Sequence, residues 1–356
     1  MRTLFVADKT SDEYRSAEAR HPGGAELTDR AAVSACPWPV TLAPLRDVSP
    51  GDFERYELVV VGNAATATAS QIDALVRHRC TVLFEHDVRI CRKRGNFFAT
   101  RDWPHRFAQR CVCELPDVAR LMRAARGTIY LTERQRRAYR ANAYYQEGRW
   151  AVLGASLFDQ GFFDTVARLR EQRSPRRGAL VLRSANLIKG SVQAKAWAAK
   201  HYREVNEVVD LEPNEVLAAL ARSEAFIYLP QGLEPAGRMP VEARLMGCLV
   251  VVNDHLGVGG EPFWLVERRR ARAFLRDGPA RFWRLIAGMV AAGGGAPAVP
   301  RRGYAPVLAS GLRRGTRWFA RKAAATDRRW LPDPIQFSLE TSARRRSQTL
   351  RVHAPW

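Results

Sequence analysis

Glu234-Pro-Ala-Gly-Arg-Met-Pro-Val-Glu242 places two carboxylates eight positions apart, around a glycine and at the opening of a helix-forming run. Each carboxylate offers two oxygens and several lone pairs, which suits hydrogen bonding to the vicinal hydroxyls of a polyol. Three further stretches carry complementary chemistry. Arg183-Ser-Ala-Asn-Leu-Ile-Lys189-Gly190 brings two cations to the end of an apolar run. Fixed cations beside a departing diphosphate stabilise a transition state more than a ground state, because negative charge grows as the bond breaks. His21-Pro-Gly-Gly-Ala-Glu26 contains Gly23 and Gly24, which let a backbone approach a ligand closely, as a phosphate cradle or a cleft wall requires. Glu85-His86-Asp87 closes another apolar run with a polar cluster. Taken alone, a His followed by an Asp is more often a satisfied structural pair.

Positioning these groups falls to strand-like runs that recur along the chain. Thr3 to Ala7, Leu58 to Val61, Thr81 to Phe84 and Thr128 to Leu131 are short, apolar and rich in β-branched residues. Each is followed by polar or helix-forming sequence, the βαβ rhythm of a doubly wound parallel sheet. Thr132 reads as the N-cap of a basic helix. The rhythm resumes with Ala179 to Leu182, Ala225 to Leu229 and Leu249 to Val252, and Ala194, Trp197 and Ala198 fall at helical spacing. Pro230 and Gly232 break the run before Glu234. Pro240 suits a first helical turn, and Gly247 ends that helix. In open α/β sheets ligands sit at the carboxyl ends of strands, where the stretches above fall. The region Leu153 to Ser174, with its glycines, carries the chain from one sheet to the next.

In this order the stretches resemble the retaining glycosyltransferases of GT-B fold, the family-4-type group that carries a Glu, seven residues and a second Glu. The resemblance covers roughly residues 1 to 265. It implies an α/β chain of two Rossmann-like domains facing each other across a cleft. Residues 1–165 would form the acceptor-side domain, 166–300 the domain that binds the nucleotide sugar, and 301–356 a basic segment packing partly back on the first domain. It further implies that Glu234 contacts the donor sugar, Glu242 holds the ribose, His86 reaches the sugar across the cleft, and Lys189 with Arg183 neutralises the diphosphate. Gly23, Gly24, Gly237 and Arg238 complete the donor site. The implied reaction moves a sugar from a nucleoside-diphosphate sugar to a hydroxyl acceptor with retention at the anomeric carbon, in cell-envelope or surface-glycan synthesis. It needs no metal and no cofactor beyond the donor substrate. A lipid-linked saccharide is among the acceptors the family uses. Two other classes stay open: a non-hydrolysing sugar-nucleotide epimerase, which needs no acceptor, and a non-catalytic basic protein binding a polymer or nucleic acid on the same scaffold.

Composition sets the boundaries. The chain has 356 residues, 46% hydrophobic and 26% charged, enough for two globular domains with separate cores. No apolar run approaches bilayer length and the start lacks a secretory segment, so the expected location is cytoplasmic, extending to peripheral contact with the inner membrane face. Six scattered cysteines fit a reducing compartment, and Cys111 with Cys113 lacks the second pair a zinc site needs. The net charge of +21 has three competing explanations. One is an Arg-rich composition. Another is docking of the basic, Trp-containing segment after Pro300 on anionic lipid. The third, nucleic acid, is the weakest, since no recognised binding motif accompanies the charge.

Overall fold

The computed structural model describes residues 1–11, 21–92, 113–142, 148–172 and 174–291, with the backbone of 350–353. Six parallel strands form the first sheet: β1 (Thr3–Ala7), β2 (Val40–Pro44), β3 (Leu58–Val61), β4 (Thr81–Glu85), β5 (Gly127–Tyr130) and β6 (Trp150–Val152). Their spatial order is β2-β1-β3-β4-β5-β6. The chain therefore leaves β1 to one side to make β2 and then returns to the other side of β1 with β3. That reversal opens a crevice at the carboxyl ends of β1 and β3. Helices α1 (Gly24–Ser34), α2 (Ala69–Arg77), α3 (Pro116–Ala124) and α4 (Glu133–Arg140) fill the crossovers.

Four further parallel strands, β7 (Ala179–Leu182), β8 (Val205–Val208), β9 (Ala225–Tyr228) and β10 (Leu249–Asn253), build the second sheet. The order β8-β7-β9-β10 reverses in the same way, between β7 and β9. β11 (Leu350–His353) adds to β10 in antiparallel sense. Strands such as Leu58-Val-Val-Val61 are wholly buried, as expected for parallel sheets covered on both faces. The architecture is α/β and GT-B: two Rossmann-like domains whose switch points face each other across a cleft.

Between the sheets lies α5 (Gln160–Glu171), where the sequence suggested a plain connection. Phe162, Phe163, Val166 and Leu169 recur at helical spacing, Phe163 and Val166 are buried, and Asp159 caps the first turn through Phe162 N at 2.8 Å. Gly161 sits in that first turn, where it costs little. α5 packs on α7 (Pro213–Ala221) and α8 (Arg238–Met246) of the second domain, so position 165 falls inside a helix rather than at a break. α6 (Ser191–His201) covers β7 and β9.

After α9 (Arg268–Arg276), α10 (Gly278–Ala291) returns to the first domain. Trp283 Nε1 donates to Ala32 O at 2.7 Å, and Phe282 lies 4.6 Å from Phe84 between ring centres. The return to the first domain thus begins upstream of residue 301. Residues 301–349 lie outside the described set, and the described part of the terminus, β11, joins the second sheet. Among the described residues no helix is long and apolar enough to cross a membrane.

Candidate functional site

The carboxyl ends of both sheets line one interdomain cavity of about 540 Å³. From the first domain come the start of α1 with Gly23 and Gly24, His86 after β4, and Ser156 after β6. The second domain contributes Lys189 after β7, Asp210 after β8, and Tyr228, Glu234, Gly237, Arg238 and Glu242 around β9 and α8. Eight of the nine residues singled out from the sequence therefore meet in one place. Arg183 is the exception. Its side chain is 68% exposed, its Nε lies 3.9 Å from Glu207 Oε2 on β8, and it does not line the cavity. Side chains alternate along a strand, so Leu182 takes the cleft side at this strand end and Arg183 is carried away.

Lys189 and Glu234 form the centre of the site. Lys189 Nζ donates to Glu234 Oε2 at 2.7 Å, and Tyr228 O–H donates to the same oxygen at 3.1 Å. Burial disfavours the ammonium, yet the Glu234 carboxylate outweighs it and raises the Lys189 pKa. Burial, reinforced by Glu234, raises the Tyr228 phenol as well, so it stays a donor. Lys189 is held there by backbone geometry. Gly190 closes the short turn Leu187–Lys189 at φ 63°, and a Cβ on it would lie 1.8 Å from Leu229 O. Only glycine fits that crossing.

The loop bearing Glu234 is fixed from both domains. Glu234 N donates to His255 O at 3.0 Å, and Gly257 N donates to Glu234 O at 2.8 Å. From the first domain, Thr132 Oγ1 donates to Pro235 O at 2.9 Å. Glu133 N, in the first turn of α4, donates to Glu261 Oε1 at 2.7 Å. Thr132 was legible in the sequence as a helix cap, and it does accept from Gln135 N. Its second role, across a separation of 103 residues, carries no local signal.

His86 is buried and pairs with Asp29 on α1, Nε2 to Oδ1 at 2.7 Å. Burial opposes a charged ring, and Asp29 overcomes it, so the pKa of His86 lies above its ordinary value. Asp29 has no neighbour in sequence that marks it. The adjacent Glu85 is turned away from the cleft: it accepts from Tyr139 O–H at 2.6 Å and pairs with Arg89 within the first domain.

Gly237 precedes α8 at φ 53° without a side-chain cap, leaving the first turn of that helix open toward the cavity. Arg238 Nε donates to Glu242 Oε1 at 3.2 Å, and its guanidinium also donates to Leu157 O and lies 4.1 Å from the Phe158 ring centre. Burial lowers the Arg238 pKa and raises that of Glu242. A Cβ on Gly24 would stand 3.4 Å from the Arg238 side chain, so the Gly-Gly turn lets the two walls approach. Glu242 is thus already engaged by a cation, with its second oxygen available to a ligand hydroxyl. Residues 12–20 and 93–112 of the first domain, Cys111 among them, lie outside the described residues. No group of three His, Cys, Asp or Glu side chains able to hold a metal ion occurs among the described residues.

The two sheets and the cavity between them define a GT-B fold whose interdomain cleft is lined by His86, Lys189, Glu234, Arg238 and Glu242. No protein-family model matches the chain, and no curated protein does. Among solved structures it is similar to Anabaena HepE in complex with UDP and glucose: 15% identity over 92% of this chain and 100% of that chain, TM-score 0.47. It is also similar to an α-glucosyltransferase solved with UDP-glucose and DNA containing an abasic site, at 10% identity over 80% and 94% of the chains, TM-score 0.44. A UDP-forming α,α-trehalose-phosphate synthase from Burkholderia xenovorans follows, at 10% identity over 75% and 79%, TM-score 0.41. Likenesses this distant bear on no chemistry, and the fold assignment rests on the two sheets themselves.

Proposed function

We propose that this protein is a glycosyltransferase that moves a sugar from a nucleoside-diphosphate sugar to a hydroxyl acceptor, with retention of anomeric configuration. The observation that carries the reading is the meeting of Lys189, Glu234, His86 and the uncapped start of α8 in one interdomain cavity. On this reading Lys189 and the first-turn N–H groups of α8 hold the diphosphate. Lys189 stabilises the charge that the leaving diphosphate gains as the glycosidic bond breaks. Glu234 accepts from sugar hydroxyls, and His86, whose protonated form Asp29 favours, donates to them. Glu242 takes the ribose hydroxyls.

Retention is part of the proposal. Glu234 is held by two donors on one oxygen, which suits a group that binds and positions rather than one that attacks carbon. On this reading the departing diphosphate accepts the acceptor's proton on the same face. Charge neutralisation belongs to Lys189, so turnover is expected to survive EDTA. We place the activity in cell-envelope or surface-glycan synthesis, on the inner side of the membrane, with a lipid-linked saccharide as the first acceptor to try.

A thermal-shift panel of UDP, GDP, ADP, CMP and dTDP against wild type and Glu242→Ala tests the donor assignment. A nucleotide at a hundred times its Kd stabilises the native state by about 2.7 kcal/mol. One nucleotide is expected to raise the Tm of wild type and leave the variant nearly unmoved. Equal responses in both proteins, or none in either, would overturn the nucleotide-sugar reading in favour of a non-catalytic basic protein.

A further inference from the structure

A second set of charges lies at the far end of α8 from the cleft. Arg170 on α5 donates to Leu245 O at 2.9 Å, and Arg176 donates to Ser223 O at 3.0 Å and Met246 O at 2.5 Å. The two guanidinium groups flank Gly247, where a Cβ would meet Arg170 Nη1 at 3.0 Å and Arg176 Nη2 at 3.5 Å. α9 brings Arg268 and Arg272 to the same place, with Arg272 Nη2 donating to Phe163 O at 3.2 Å. Arg268 Nη1 and Arg272 Nε are buried and meet no acceptor.

Four cations from three segments of the chain therefore converge with no carboxylate at ion-pair distance among the described residues. Asp164 bears on Arg272 only from further away. The crowding is visible in Arg170, whose pKa is pushed down to about 10 by burial first and then by Arg268, Arg176 and Arg272. Several arginines elsewhere are matched by a carboxylate, as Arg30 is by Asp159, Arg120 by Asp73, and Arg284 by Asp277, whereas here four guanidinium groups share one place without one. Guanidinium forks that no carboxylate matches are complementary to the oxygens of a phosphate group.

We propose that Arg170, Arg176, Arg268 and Arg272 form a binding site for a phosphate-bearing anion, separate from the interdomain cleft. None of the four lines the cleft cavity, so the site stands whether or not the cleft holds a nucleotide sugar. The phosphate belongs either to a soluble ester or to an anionic lipid headgroup. Leu265, three residues before Arg268, is a large apolar residue left 52% exposed.

Calorimetric titration with inorganic pyrophosphate at fixed ionic strength tests the site in three full-length proteins: wild type, Lys189→Gln, and the double variant Arg268→Gln with Arg272→Gln. Lys189→Gln removes the cation that would bind pyrophosphate in the cleft, so it is expected to retain a pyrophosphate site. The double variant is expected to bind there at least tenfold more weakly. It should also melt at or above wild type in low-salt, phosphate-free buffer, because mutual repulsion has been relieved. Co-sedimentation with phosphatidylglycerol vesicles, against phosphatidylcholine vesicles, then separates the sources: binding that the double variant loses identifies a headgroup, and its absence beside retained pyrophosphate binding identifies a soluble ester. Pyrophosphate binding that Lys189→Gln abolishes, or that the double variant keeps at full strength, overturns the proposal.

Discussion

Lys189 and Glu234 depend on each other, because each would otherwise be a charge set partly out of water. Lys189→Gln leaves Glu234 with Tyr228 alone, and the destabilisation should be about 1–3 kcal/mol, below the value for a wholly buried pair since the Lys side chain is 32% exposed. Transfer should suffer more: kcat is expected to fall by about two to three orders of magnitude with a smaller change in donor KM. Steady-state kinetics with urea unfolding on the same protein separates the two effects. His86 gives a pH signature. Its folded pKa is raised above the unfolded value of about 6.5 by Asp29, so the pair's contribution is full below about pH 6.5 and is lost as pH rises through the raised value. Urea unfolding from pH 6 to pH 9 should show that decline in wild type, and Asp29→Asn should flatten it.

Among the elements, the turn from β7 into α6 and the loop from β9 into α8 are the parts that aim the chemistry. Gly190 adopts φ 63° and passes under Leu229, so Gly190→Ala combines backbone strain with a collision against the backbone carbonyl of the residue that follows β9. A loss of roughly 2–4 kcal/mol is expected, read as a drop in Tm, with Lys189 displaced from Glu234 in a crystal structure of the variant. Gly257 holds a comparable position, with a hypothetical Cβ 2.0 Å from Pro235 O, and fixes the other end of the Glu234 loop. The turn at Gly190 was legible because a basic residue and a glycine followed an apolar run. The loop at Gly257 was not, since its partner Pro235 is brought to it by tertiary packing.

At the scale of the whole molecule the two domains are joined by α10 and by the contacts of α4 with the second domain. Glu261 is the titratable member of that junction. Burial pushes its carboxyl up to about 7, against the Glu133 N–H and Arg137, which lower it, and with Glu133's own charge, which raises it. The folded state therefore holds the proton more tightly than the unfolded chain. The associated stability is full below about pH 4.5, the ordinary value, and is lost as pH climbs to about 7. Glu261→Gln keeps an acceptor for Glu133 N and removes the charge, so at pH 8 it should be more stable than wild type by on the order of 2 kcal/mol. The gain should vanish near pH 4.5. Chemical denaturation at the two pH values measures it.

The sequence by itself determined the parallel strands at Thr3, Leu58, Thr81, Ala179, Ala225 and Leu249, because strands buried on both faces must be short and continuously apolar. It also determined which strand ends carry Lys189, Glu234, Glu242 and His86, since glycine, proline and charge interrupt the apolar runs there. β2, with its mixed exposure, and β8, with polar Asn206 and Glu207, left no such run and escaped detection. α5 was concealed by Gly161. Only the tertiary structure decided what each charge faces. It paired His86 with Asp29 at a separation of 57 residues, set Tyr228 beside Glu234, and tied Thr132 to Pro235. It also turned Arg183 away from the cleft and gathered four arginines behind α8. Local patterning fixes where a chain changes from strand to helix, whereas the direction of a side chain at that change depends on sheet order, and sheet order is settled by packing between segments far apart in sequence.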